Sequence, residues 1–416
     1  MKNKFHTISS IILYYIFCFL INSSYEEDKK FIKKEITIND EKNPLVSDGN
    51  TKFLISLSSP IIFTKENDND NKFLLYKTIF NNTFNFSIKN KSFSFLNNNN
   101  KNIEKKFFYG SFNSSLYKYG IYGLARDKVG IDLNGNKTFL QQLLKSELIL
   151  KDIIYIEPYY EKNAIKKESN ILIGKFPEFL ASNRSKLPFC DLNKKYVNYY
   201  DCNITHFLIE YEDNNKKKDK YLYKNDKKLD NTIIARFEEG SMGPIYFPKS
   251  LLKGFQDYFK NYSCNFNENK IQCDLSKTEN MTMSLIINNF KFILNPDYIW
   301  KEDGTLNIEF NRDDNVAILT SGFTGYYHRI YDNINYKIYF SDNNGKIISL
   351  NKAKTSNDFI FWISFLSASI LVLVIAIIVI IYCTQNWKQK IAEKITTISF
   401  QKQRDEEEDG DGDLLE

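Results

Sequence analysis

Short alternations of apolar and polar residues recur along most of this 416-residue chain, and they limit its fold more than any other feature. The runs Lys52–Phe63, Phe73–Phe80, Thr83–Ile88, Asn170–Gly174, Thr205–Tyr211, Met283–Leu294 and Asn335–Phe340 are rich in Ile, Phe, Tyr and Thr. They are bounded by Asn, Asp, Gly and Lys. Side chains alternate across a strand with a period of two, so such runs read as strands, and many of them between turn residues describe an all-β protein. Helical periodicity is confined mainly to Phe139–Leu150 and Pro248–Asn261. Glu66–Asn71 and Asn97–Asn100 are low-complexity loops without chemistry.

Two longer apolar segments set expectations about compartment. Residues 1–23 join Lys2 and Lys4 to an apolar run, Ile11–Ile21, and a small polar exit, which is the pattern of a secretory signal peptide. Phe359–Tyr382 carries no charge in 24 residues, long enough to cross a hydrocarbon layer of about 30 Å. Trp362, near its start, and Trp387, just past its end, sit where interfacial aromatic anchors belong, and Lys388, Lys390 and Lys394 follow. The expectation is a type I single-pass membrane protein of the secretory or endosomal pathway or the cell surface. It has a transmembrane helix at 359–383, a juxtamembrane linker at 349–358 and a cytoplasmic tail at 384–416.

The net charge of +5 does not point to nucleic acid, because the lysine runs alternate with Asn and Asp in loops such as 214–219. A solvated face explains them. Of six cysteines, Cys18 and Cys383 lie at the two apolar segments, while Cys190, Cys202, Cys264 and Cys273 fall between them. In an oxidising compartment four cysteines imply two disulfides, with three connectivities open. Only three histidines occur and no Cys/His group has metal spacing, so neither a metal nor a cofactor is expected. Nine Asn-x-Ser/Thr sequons between Asn81 and Asn280 are not far above what so Asn-rich a chain carries by composition, and support glycosylation only weakly.

Four stretches in order resemble the pepsin-like aspartic peptidases. Ala235-Arg236-Phe237-Glu238-Glu239-Gly240-Ser241 is similar to the strand and turn that hold one catalytic aspartate, Ala-x-Phe-Asp-Ser/Thr-Gly-Thr/Ser. Ile318–Asp332, continuing to Ile338-Tyr339-Phe340, resembles the family's closing segment. Phe53–Phe63 is similar to the first apolar strand and its Asp-Thr-Gly-Ser turn, and Tyr119-Gly120-Ile121-Tyr122-Gly123-Leu124 to Asp-Gly-Ile-Leu-Gly-Leu. The resemblance covers roughly residues 50–348. It implies a bilobal all-β fold with an N-terminal lobe at 50–160 and a C-terminal lobe at 161–348. Residues 24–49 are then either a short prosegment or the first strand of the body. It also implies a local Cys264–Cys273 bridge, which leaves Cys190 and Cys202 for the second.

The match fails where the chemistry belongs. Glu238 and Ser56 stand at the two aspartate positions, although a register shifted by two would put Ser58 in place of Ser56. The family needs two carboxylates sharing one proton, one to activate water and one to polarise the scissile carbonyl. A serine hydroxyl does neither near neutral pH. Glu238 carries its carboxylate one methylene too far, and Glu239, next to it on one strand, points to the other face. Tyr76 is the nearest counterpart of the flap tyrosine, without the flap glycines. Ser59, Tyr76, Gly240 and Ser241 remain as cleft candidates. In layout the chain resembles the membrane-anchored beta-secretase type. The expectation is a catalytically inactive homologue that binds peptides or protein partners in its cleft; the alternative is an active membrane-anchored endopeptidase with a Ser/Glu site. The acidic end of the chain lacks apolar periodicity, and Asp411, Leu414 and Leu415 resemble an Asp-x-x-Leu-Leu sorting signal for a cytosolic adaptor.

Overall fold

The computed structural model describes residues 30–350, apart from 40–42, 49–50, 67–73, 78–82, 97–101, 113–117, 127–136, 162–163, 167, 194–198, 214–215, 226–231, 242, 268–269, 279–280 and 343–346. It also describes most of 377–399. Residues up to Leu350 form one compact unit and 351–416 a second, each taken by itself.

Among the described residues, the strands of the first unit form a thirteen-stranded sheet, a nine-stranded sheet and two short hairpins. One end of the larger sheet runs in the order Phe189–Asp191, Lys337–Ser341, His328–Asp332, Ile153–Ile156, Glu168–Ile173 and Ile32–Ile38, every pair antiparallel. Its midline lies between Ile153–Ile156 and His328–Asp332. On either side stand a hairpin and a third strand, one set from each half of the chain. Glu35–Ile38, in the segment for which sequence left two readings open, therefore lies in a strand of the body.

Each lobe repeats one further pattern. Thr51–Ser56 runs parallel to Gly120–Gly123; the chain turns, and Phe63 returns antiparallel to Ile121 while Phe63–Lys65 runs parallel to Asn102–Phe112. In the second lobe Ile233–Phe237 runs parallel to Val316–Leu319, Tyr246 returns antiparallel to Ile318, and Ile245–Pro248 runs parallel to Ile308–Arg312. Gly120–Gly123, Ile233–Phe237 and Val316–Leu319 are buried at every position. Continuous burial is what strands covered on both faces require, and it is why their sequences are apolar without alternation, apart from Arg236, whose charge is paired with Asp201. The main core runs through both lobes, with Phe53, Tyr122 and Phe139 in one and Phe207, Phe247 and Phe255 in the other.

Local chemistry sets the helices. Thr138 caps Phe139–Lys145: its hydroxyl accepts from Gln141 N–H at 3.3 Å and Gln141 Oε1 accepts from Thr138 N–H at 3.2 Å. The helix stops well short of the Leu150 expected from periodicity, because Glu147 takes a left-handed conformation (φ 57°) and turns the chain. The second helical stretch is realised as Leu252–Phe259 between two short 3-10 turns. Cys190 is bonded to Cys202 and Cys264 to Cys273. The first bridge ties the Phe189–Asp191 strand of the larger sheet to the Asp201–Asp213 strand of the smaller.

The expected transmembrane helix requires correction. Among the described residues no helix is long and apolar enough to cross a membrane. Residues 351–376, 378 and 383 lie outside the described set, and the helical residues that follow run from Ile377 through Trp387, Lys388, Lys390 and Lys394. Charge thus enters the described helix at Lys388, about three turns after its first residue. The type I topology, the membrane as partner and the membrane localisation are withdrawn with it. The signal segment 1–23 and the sorting residues Asp411, Leu414 and Leu415 also lie outside the described residues.

Close backbone approach at Gly123 yields a direct test of this topology. A Cβ there would sit 2.1 Å from the carbonyl oxygen of Ile61 and 2.6 Å from that of Ser59, neither of which is a flexible group. Gly123→Ala is expected to cost about 3 kcal/mol in urea unfolding. Gly254→Ala, inside Leu252–Phe259 with its nearest contact at 3.5 Å, should instead be neutral or stabilise by up to about 1 kcal/mol. Equal effects at the two glycines would contradict the packing described.

Candidate functional site

The two central turns come together where the lobes meet. In the first lobe the ladder ends with Ile55 opposite Tyr122 and Ser56 opposite Gly123. In the second, Phe237 stands opposite Leu319, and Glu238 N–H donates to Leu319 O at 3.0 Å. Phe63 opposite Ile121 and Tyr246 opposite Ile318 fix the same frame in each lobe. Ser56 and Glu238 are therefore equivalent by register, a choice the sequence left open between Ser56 and Ser58. Their side chains meet: Ser56 Oγ lies 3.3 Å from Glu238 Oε2.

Glu238 is 1% exposed. Its Oε1 accepts from the N–H groups of Leu57 (3.1 Å), Glu239 (3.1 Å) and Gly240 (3.3 Å). Its Oε2 accepts from Ser58 Oγ at 2.6 Å and from Ser56 Oγ. Both oxygens thus have donors, and both hydroxyls and one of the three amides come from the opposite lobe. The extra methylene of glutamate carries the carboxylate across to the Leu57 amide. Burial pushes Glu238 above the usual carboxylate range, against the lowering pull of Ser58, Leu57, Gly240 and Glu239. Ser56 Oγ in turn accepts from Ser58 N–H (3.3 Å) and Ser59 N–H (3.1 Å), so it caps its own turn. Gly240 is needed by contact: a Cβ on it would lie 2.7 Å from Ile55 O in the other lobe.

The next residue faces the opposite way. Glu239 is fully buried and forms a bidentate pair with Arg329, Nε to Oε1 at 2.9 Å and Nη2 to Oε2 at 3.0 Å. Tyr331 (2.8 Å) and Thr324 (3.2 Å) donate to Oε1, and Tyr159 (3.0 Å) to Oε2. Arg329 is also fully buried; its Nη1 donates to the carbonyls of Glu157, Thr324 and Tyr327, and its guanidinium stands 4.5 Å from the Tyr159 ring centre. Burial alone would lower the Arg329 pKa, but Glu239 raises it above its ordinary value. Tyr159 and Tyr331 are pushed up by burial first and by Glu239 second. A second bidentate pair, Arg236 with Asp201 at 2.9 and 2.7 Å, buttresses the strand that ends at Glu238.

The remaining candidates scatter. Ser59 is buried and its hydroxyl donates to Ile61 O at 3.1 Å. Ser241 Oγ accepts from Gly243 N–H at 2.9 Å, and its carbonyl accepts from Ser321. Both stabilise their own turns. Tyr76 lies in the Leu74–Lys77 strand, in register with Phe84, and its side chain is outside the described set. Tyr119, at the first-lobe position of a family aspartate, has its hydroxyl 3.2 Å from Asn39 Nδ2. Sequence reasoning missed Arg329, Tyr159, Tyr331 and Thr324. The signal was present as two opposite charges, Arg329 before Ile330-Tyr331 and a surplus acid at Glu239 after Phe237-Glu238.

Breaking one side of the Glu239–Arg329 pair strands the other charge away from water. Arg329→Met or Glu239→Gln should each cost about 3–5 kcal/mol in urea unfolding, whereas Glu239→Leu combined with Arg329→Met should lose far less than the sum. Additive losses would show that the two groups do not act as a pair.

No family model matches the chain, and no curated protein does. Solved structures do. Basic 7S globulin from soybean is similar over 78% of this chain and 97% of its own, at 10% identity and a TM-score of 0.56. Conglutin gamma, a unique basic 7S globulin from lupine seeds, is similar over 76% and 95%, at 9% identity and a TM-score of 0.57. At such identity the likeness concerns architecture: the chain has the all-β, bilobal, pepsin-like fold.

Proposed function

We propose that this chain is a pepsin-like protein without peptidase activity, in which the central turns hold the lobes together. The observation that carries this reading is the saturation of Glu238 by donors from both lobes, opposite a serine. Aspartic proteolysis needs one ionised carboxylate to take a proton from water and one protonated carboxyl to polarise the scissile carbonyl. Only one carboxylate stands at these two positions, and it is already engaged by buried protein groups. Glu239, the nearest second acid, is committed to Arg329 on the other face. The alternative, an endopeptidase working with Ser56 and Glu238, lacks a second titrating group.

Purified protein is expected to leave denatured globin intact at pH 3–6 and to show no saturable binding of pepstatin-type inhibitors. Pepstatin-sensitive cleavage would overturn the proposal.

The clasp also has a pH signature. A carboxyl whose folded pKa is raised contributes stability that is fully present below its unfolded pKa and is lost as pH rises through the folded value. The stability of the natural protein relative to Glu238→Gln should therefore fall as pH rises from the ordinary glutamate range, near 4.5, through the raised value. Melting temperatures of the two proteins between pH 4 and 8 read this directly. A difference independent of pH would remove Glu238 from the account.

A further inference from the structure

Away from the central turns, a pocket of about 390 Å³ lies between the Asn102–Phe112 strand and the Phe139–Lys145 helix. Lys106 enters it from the strand, Lys137 from the residue before the helix cap, and Lys145 from the last turn of the helix. Among the described residues none of the three ammonium groups has a hydrogen-bond or ion-pair partner. Two acids stand two residues from a pocket lysine: Glu147, taken by Lys30 at 3.4 Å, and Glu104, on the Asn102–Phe112 strand with Lys106. Three like charges around one concavity repel each other, and a bound anion would remove that cost.

The floor of the pocket is built. Gln142 is 8% exposed and joins the three segments: its Oε1 accepts from Phe108 N–H at 2.8 Å, and its Nε2 donates to Phe108 O at 3.3 Å and Lys137 O at 3.1 Å. These bonds fix the backbone that carries Lys106 and Lys137 before any ligand arrives. One wall is apolar, since the Phe108 ring is 38% exposed. Compact ammonium groups suit a multiply charged oxyanion, and an exposed ring beside them suits a flat apolar body.

We propose that this pocket binds an organic phosphate monoester, with the phosphate dianion among Lys106, Lys137 and Lys145 and an aromatic or apolar body against Phe108. Calorimetric titration of the full chain with phenyl phosphate, with inorganic phosphate alongside, tests it. Phenyl phosphate should bind saturably and more tightly than inorganic phosphate, and both should weaken as salt is added. Lys106→Gln, Lys137→Gln and Lys145→Gln should each lower affinity about fivefold without shifting the melting temperature, because all three side chains are exposed. Phe108→Ala should bring phenyl phosphate down to the affinity of inorganic phosphate. Absence of saturable binding, natural affinity retained in the triple Lys→Gln variant, or equal affinity for the two probes in the natural protein would each overturn the proposal.

Discussion

A carboxylate and a guanidinium without measurable exposure sit at the base of the central turns, and the geometry above them depends on their pairing. Moving either ion out of water costs several kcal/mol, and attraction offsets this only when the remaining lone pairs and N–H groups are also satisfied. Glu239 meets that condition with Arg329, Tyr159, Thr324 and Tyr331, and Arg329 meets it with three carbonyls. These partners come from the turn, the closing helix Ser321–Thr324, the shared strand His328–Asp332 and the segment after Ile153–Ile156. One buried pair thus ties the second-lobe turn to the sheet both lobes share.

Once Glu239 is held, the alternation of side chains along an extended backbone sends Glu238 to the other face, toward the first lobe. There it meets the amide and hydroxyls of Leu57, Ser58 and Ser56. A carboxylate so placed joins the two lobes, because its oxygens accept from donors on both sides. The serine at position 56 fits this arrangement. A second acid there would face Glu238 at hydrogen-bond distance, and one of the two would have to stay protonated.

Much of this was legible in the sequence, and what was not has physical causes. The strand-turn segments at Phe53–Phe63 and Ala235–Ser241 and the apolar runs Gly120–Leu124 and Ile318–Leu319 mark parallel strands buried on both faces, and such runs are hard to mistake. The register at Ser56 was not legible, because serines at 56 and 58 both fit the turn until the ladder to Gly120–Gly123 is known. Arg329 was hidden by its neighbours: in a strand that also carries His328 and Asp332, it reads as an edge position unless its partner, ninety residues earlier, is placed beside it. The apolar segment at 359–382 was read from composition alone, which measures length and hydropathy without locating the helix.

The internal repeat shows how much latitude the fold leaves to local sequence. Gly123 and Thr320 occupy equivalent places, Gly123 as the last residue of the strand that pairs with its lobe's central strand and Thr320 as the first residue past it. In the first lobe the chain takes seven residues from Ser56 to its return at Phe63, and the backbone comes so close to Gly123 that no side chain fits. In the second it takes eight residues from Glu238 to Tyr246, and a threonine is accommodated. Its hydroxyl donates to Gly243 O at 2.7 Å, and Tyr298 closes over it at 3.0 Å. One added residue in the turn converts a position that excludes a Cβ into one that makes a side-chain hydrogen bond. The twofold pattern therefore resides in strand order and register, which burial enforces. The residues at the turns answer to local spacing, so they differ between the lobes while the pattern stays.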